Sequence, residues 1–189
     1  MKLKQIADVA MGYSFRSRLE RVDGGNISVI QMKDLSEDNQ LEVSNLMQID
    51  KEGMKRPQFV QQNDIVLRSR GQTYTAVLID QDVGEAVLAA PLLRIRVGEA
   101  VLPAYLYWYI NLPATQAWLM SQAEGTKTPM ISKQVLEGME VVVPPLKRQQ
   151  TIVQLAALAA DEQRLMQELA RKRKQYMEGI LMQAASGAR

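Results

Sequence analysis

Val141-Val142-Val143-Pro144-Pro145-Leu146-Lys147-Arg148-Gln149-Gln150-Thr151-Ile152 is the stretch on which the chain divides. Met139 to Val143 is an apolar, β-branched run and reads as a strand. Pro144-Pro145 stops it, because proline has no amide hydrogen and also restricts the residue before it. Beyond Pro145 there is no further proline, and no glycine before Gly179. Residues from Lys147 to about Gln183 therefore read as one helix, ~55 Å long at ~1.5 Å per residue.

Forward of the junction, the apolar stripe of that helix is Ile152, Leu155, Leu158, Leu165, Leu169, Tyr176 and Ile180, with Glu162 and Lys172 or Arg173 filling its gaps in a 3–4 pattern. A helix of this length exceeds what one small domain can cover. It needs a partner along its length, as in a coiled coil. The sequence holds no second copy of the helix, so the expected partner is another chain. The run Arg171-Lys172-Arg173-Lys174 is the densest basic cluster. It suits phosphates or an acidic partner, and equally a solvated helix face near a C-terminus.

Backward of the junction, residues 1–100 are strand-rich and punctuated by turns. Gly24-Gly25-Asn26 is a turn before a strand over 27–32, and Leu41-Glu42-Val43 alternates. Gln62-Asn63-Asp64 is a turn before Ile65 to Arg70, which ends at Gly71. Tyr74 to Asp80 is a further strand candidate. Leu92 to Val97 puts Leu93, Ile95 and Val97 on one face and Arg94 and Arg96 on the other. Pro103 then opens a helical pair, 104–111 and 114–123, with Leu106, Tyr109, Ile110, Trp118 and Leu119 as core. The polar loop 124–129 follows. The fold class is mixed α+β: a strand-rich domain over 1–145 and one long C-terminal helix within 146–189.

The 189 residues include no cysteine and no histidine. That removes disulfides, thiolate nucleophiles, the commonest general base and the commonest metal ligand. The composition favours binding over catalysis. No G-x-G-x-x-G, Walker or H-E-x-x-H pattern is present, and Gly125-Thr126-Lys127-Thr128 lacks the Walker spacing. Asp80, Asp82 and Glu85 read as a turn between two strands rather than a metal site. No apolar run reaches a membrane span, and the N-terminus leads into no signal-peptide core, so a reducing cytoplasm is the expected setting. Charge is uneven: residues 1–145 hold 15 Lys/Arg and 17 Asp/Glu, and residues 146–189 hold 8 and 4.

Two segments could meet a ligand. Arg68 and Arg70 share a strand face and lead into Gly71-Gln72-Thr73, and arginine's planar fork suits guanine and phosphate. The loop Tyr13-Ser14-Phe15-Arg16-Ser17-Arg18 mixes aromatics, hydroxyls and arginines, which suits a nucleic-acid-facing loop or a plain surface loop with one buried aromatic.

Taken in order, the segments resemble the specificity (S) subunits of type I restriction-modification systems. Lys4 to Val9 followed by Gly12-Tyr13-Ser14-Phe15 looks like the family's opening, and 29–35 like its first internal strand and turn. The segment 63–71 is similar to its "G-D-I-L-…-G" element, with Asn63 in place of the usual glycine, and 90–95 resembles the next strand. The junction is the most specific piece: a strand, Pro-Pro-Leu, then "x-E-Q-x-x-I" opening a long helix. Gln149 and Ile152 match it, and Arg148 stands where glutamate is usual.

The resemblance implies a non-catalytic target recognition domain on a spacer helix. Such a subunit reads double-stranded DNA and positions methyltransferase and restriction subunits on a bipartite target. Cofactors are expected only in those partners: S-adenosylmethionine, ATP and Mg. The family carries two recognition domains and two antiparallel helices, whereas this sequence has one of each. It resembles a half-subunit, which implies a homodimer through the helix and a palindromic, interrupted target. The DNA-binding candidates are Ser14, Phe15, Arg16, Arg18, Lys33, Arg68, Arg70, Gln72, Thr73, Lys127, Thr128 and Lys133. The competing readings are a coiled-coil oligomerisation or interaction protein, and a regulatory half-subunit without its own modification system.

Overall fold

A computed structural model describes residues 1–16, 19–22, 24–36, 38–50, 54, 57–125 and 127–187. It divides into two units, Met1–Gln150 and Thr151–Arg189. Among the described residues no helix is long and apolar enough to cross a membrane.

The first unit holds two sheets. One runs β1 (Ala7–Met11), β7 (Leu92–Val97), β4 (Ile65–Arg68), β5 (Ala76–Leu78) in spatial order, all antiparallel. The other runs β3 (Met47–Ile49), β2 (Ile27–Ile30), β6 (Ala86–Leu88), with β2 antiparallel to β3 and parallel to β6. Ile30, Val66, Val77, Ile79, Leu88 and Leu92 bring the sheets together in one core.

Arg94 and Arg96 share one face of β7 as expected, but that face is covered more than the alternation alone implies: Arg94 is buried and Arg96 half-buried. Each is held by a carboxylate from a neighbouring strand or turn. Arg94 Nη2 donates to Asp8 at 2.6 Å, and Arg96 meets both oxygens of Asp64 at 2.7 Å. Asp64 is only 1% exposed and also accepts the Gln61 amide at 2.8 Å. The hydrogen bond to Asp64 holds the Arg96 guanidinium above its ordinary pKa.

The helical pair is α1 (Pro103–Ile110) and α2 (Pro113–Gln122), each with proline in its first turn, where a missing N–H costs nothing. Its position against edge strand β5 has a polar cause. The Asn111 amide donates to the Ala76 carbonyl at 3.0 Å and accepts from the Ala76 N–H at 2.9 Å. Gln116 does the same at Tyr74, at 3.1 and 3.3 Å. Two side-chain amides thus replace the strand that β5 lacks. Burial raises the phenol pKa of Tyr74, Tyr105 and Tyr107.

Two expected strands shrink to single bridges. Leu41 pairs only with Leu35, and Glu140 only with Lys2. At the second site Val141 instead exchanges hydrogen bonds with Met1, at 2.7 and 2.8 Å. Several short elements had no expectation of their own, among them β1, β3, β6 and α3 (Lys133–Gly138), whose first turn is capped by the Ser132 hydroxyl accepting from the Val135 N–H at 3.2 Å.

Helix α4 spans Leu146–Ala185, two residues beyond the expected end. Its first turn belongs to the first unit because of one residue of the junction. Gln149 is fully buried. Its amide donates to the Ala100 and Pro144 carbonyls at 3.0 and 2.8 Å and accepts from the Leu102 N–H at 2.8 Å. Every hydrogen bond a buried amide needs is met by backbone, so the position calls for glutamine. From Thr151 the helix forms the second unit, and its apolar stripe lies in water. Leu155, Leu158, Leu165, Leu169, Tyr176 and Ile180 are all exposed, and Ile152 is half-buried.

Candidate functional site

The register of the four-stranded sheet puts one set of strand ends together. Met11 lies opposite Leu93, Arg68 opposite Leu92, and Leu67 opposite Ala76. The loops after β1 and β4 and the one before β7 therefore emerge at the same end. The second sheet adds the end of β2 and β6, through a parallel bridge between Tyr13 and Ala89.

Gly12 makes this junction possible. A Cβ there would sit 2.7 Å from the backbone carbon and oxygen of Ala89. With only hydrogen present, Gly12 N–H reaches the Leu92 carbonyl at 2.8 Å and Tyr13 N–H the Leu88 carbonyl at 2.6 Å. Tyr13 and Phe15 then lie with ring centroids 4.8 Å apart, at a tilt of 56°. An open groove of about 760 Å³ runs past them, lined in part by Ser14, Gln31, Lys33 and Pro91. Of the sequence candidates, Ser14, Phe15 and Lys33 meet here. Ser14 and Lys33 are exposed, while Phe15 is half-buried against the Ile27 and Val29 cluster. Arg16 is exposed at the end of this loop. Arg18 lies outside the described residues.

A second group stands on two facing loops. Arg70 bridges Met130, Gly71 N–H reaches the Pro129 carbonyl at 3.3 Å, and Ile131 N–H reaches the Ser69 carbonyl at 2.7 Å. Gly71 has φ 126°, a conformation side chains disfavour. This pairing brings Arg70, Gln72 and Thr73 to the same place as Lys127 and Thr128, all five exposed. The buried Ser69 hydroxyl donates to the Pro91 carbonyl, which ties this group to the groove.

Two candidates are engaged elsewhere. Arg68, half-buried, donates to the backbone carbonyls of Leu35 at 2.5 Å and Ser36 at 2.6 Å, and to the Thr75 hydroxyl at 3.4 Å. Although it is two residues from Arg70, it faces protein and ties the loop after β2 to the end of β4. Lys133 opens α3 and pairs with Glu137 at 3.5 Å. Sequence reasoning placed Tyr13 in a ligand-facing loop without naming it as a contact, and it passed over Gln31 as a groove residue. The only signal for Gln31 was a polar residue closing an apolar strand.

Three comparisons bear on this arrangement. The family model for the type I restriction modification DNA specificity domain matches residues 1–160. The specificity subunit of the type I restriction enzyme MjaVIII from Methanocaldococcus jannaschii is 24% identical over 96 residues, 51% of this chain and 22% of that protein. The HsdS subunit from Thermoanaerobacter tengcongensis superposes with a TM-score of 0.61 at 18% identity, over 86% of this chain and 36% of that one. A solved chain described under complex assembly and conformational transition of the type I R-M system gives a TM-score of 0.66 at 18% identity, over 97% and 44%. The matched region thus spans less than half the length of each of these proteins.

Proposed function

The chain belongs to the type I restriction-modification DNA specificity family, and from that premise we propose that its first unit reads duplex DNA without performing chemistry of its own. The observation that carries this is the convergence of two polar, cationic loop groups at one end of both sheets. Arg16, Lys33, Arg70 and Lys127 supply charge for phosphates or base edges. Ser14, Gln72, Thr73 and Thr128 supply neutral hydrogen bonding, and Phe15 an aromatic face. Residues 1–145 carry more acidic than basic side chains, so affinity has to come from where the cations stand, not from bulk charge.

Methylation and cleavage belong on this reading to methyltransferase and restriction subunits, which bring S-adenosylmethionine, ATP and Mg. The water-exposed stripe of α4 supports pairing with a second copy. Two recognition units on such a rod would meet two half-sites of an interrupted palindrome. A cytoplasmic setting fits DNA as the ligand.

The test is selection from a random duplex pool by electrophoretic shift, with the chain alone and with a cognate methyltransferase subunit. Enrichment of an interrupted palindrome is the expected result. If no sequence is enriched under either condition, the DNA-reading proposal fails.

A further inference from the structure

We propose that Gln31 reads an adenine, and that the groove beside Phe15 is where one A·T pair of the target is recognised. This rests on the reading that the first unit binds duplex DNA, and it names one base contact within that reading. Half-buried Asn111 and Gln116 and buried Gln149 show how this fold uses a side-chain amide for structure. Each donates to backbone carbonyls and accepts from a backbone N–H, so both ends are consumed. Gln31 is half-buried too, yet its amide is not consumed. Among the described residues its Nε2 donates only to the Met47 sulfur, at 3.5 Å, and nothing donates to its Oε1. A thioether is a weak acceptor, so giving it up costs little.

The main chain of Gln31, by contrast, is fixed. Its N–H donates to Asp34 Oδ2 at 2.8 Å, and its carbonyl accepts from the Asp34 N–H at 3.0 Å. Asp34 is itself buried, and Arg68 holds the carbonyl of the next residue, Leu35. An unspent amide on a pinned backbone is a preorganised donor and acceptor. The surroundings select the ligand. Gln31 lines the open groove together with Ser14, Phe15, Lys33 and Met47. A glutamine amide matches the N6 donor and N7 acceptor of adenine through two hydrogen bonds. Guanine offers two acceptors at that edge, N7 and O6, which would set the amide oxygen against an acceptor. Half-buried Phe15 and Met47 give the groove an apolar side, which suits the methyl group of the paired thymine. Exposed Lys33 adds a cation for a neighbouring phosphate.

Selection from a random duplex pool, run in parallel on the full chain and on two variants, tests the assignment. Gln31→Leu keeps the bulk and removes both hydrogen bonds. Its motif should match the wild-type motif except at one A·T pair, where discrimination falls about tenfold to a hundredfold. Glutamine is uncharged, so the slope of affinity against salt should stay at the wild-type value. Gln31→Glu can only accept, and should turn the same position toward C·G. Both variants should melt as wild type does, since the bond to the Met47 sulfur is all that the side chain loses. A Gln31→Leu motif identical to wild type, or one relaxed at a G·C pair, overturns the adenine contact and leaves DNA reading intact. Loss of all enrichment with an unchanged melt does the same, because Gln31 would then be a general contact. If Gln31→Leu does not fold, the Gln31→Glu motif decides, and an unchanged position there overturns the contact. A wild-type chain that enriches nothing, with or without a methyltransferase subunit, removes the DNA reading and the adenine contact with it.

Discussion

In the first unit the buried Arg94 pairs with Asp8, the half-buried Arg96 pairs with the buried Asp64, and Arg68 is spent on two carbonyls. In α4 the opposite holds: Leu158 is 66% and Tyr176 70% exposed, while Lys172 and Lys174 pair only along their own helix surface. One unit hides charge and the other shows hydrocarbon. The first pattern belongs to a domain with a core of its own, which among the described residues displays Arg16, Lys33, Arg70 and Lys127 to solvent. The second belongs to a surface that lowers its free energy only when something covers it.

Removing a hidden charge partner tests that contrast most severely. Asp64→Ala leaves the Arg96 guanidinium and the Gln61 N–H without their acceptor. It should cost about 3 kcal/mol, the low end for a buried pair because Arg96 is partly exposed. For a chain of this length that is a fall of roughly 6–12 °C in the melting of the first unit. Leu158→Asp should leave the same transition in place and lower only self-association. Calorimetry and sedimentation of both variants check the pair. Equal effects of the two variants on the melt would mean that the units are not energetically separate.

A smaller effect sharpens the account of how the loops are gathered. Gly12→Ala places a methyl group 2.7 Å from the backbone of Ala89, and backbone cannot swing aside as a side chain could. About 1–3 kcal/mol is expected, the usual range for overpacking, together with weaker DNA binding as the loop after β1 is pushed off the groove. A neutral result in both melting and binding would show that the junction of β1 with the segment before β7 is loose.

The two regions were also unequally legible. The stripe of α4 could be read directly, because helical spacing is local and Ile152 to Ile180 recur on it without reference to any other segment. Gln149 could be placed at the junction, yet its role depends on Ala100, Leu102 and Pro144, which only the fold brings to it. The strands β3 and β6 were missed because three residues carry too little periodicity to stand out. The fate of the arginines was least legible. Arg68, Arg94 and Arg96 look in sequence like Arg16 and Arg70. What separates them is a carboxylate or carbonyl 30 or more residues away, as with Asp64 for Arg96 and Leu35 for Arg68.

Arg68 and Arg70 give the finest test of that distinction, since they differ by two positions and, on the geometry, by role. Each phosphate contact contributes about 0.9 to the slope of log affinity against log salt. Arg70→Ala should therefore flatten the slope by roughly that amount, with little change in melting. Arg68→Gln removes the same charge. It should lower stability by about 1.5–3 kcal/mol, because the Leu35 and Ser36 carbonyls lose charge-assisted donors. Its salt slope should stay at the wild-type value, with affinity reduced only as far as the loop after β2 has moved. Salt titrations of duplex binding on both variants, beside their melting curves, separate a residue that touches DNA from one that positions a loop. If Arg68→Gln flattened the slope as Arg70→Ala does, Arg68 would have to leave its carbonyls on binding, and the division between hidden and displayed charge would not survive contact with DNA.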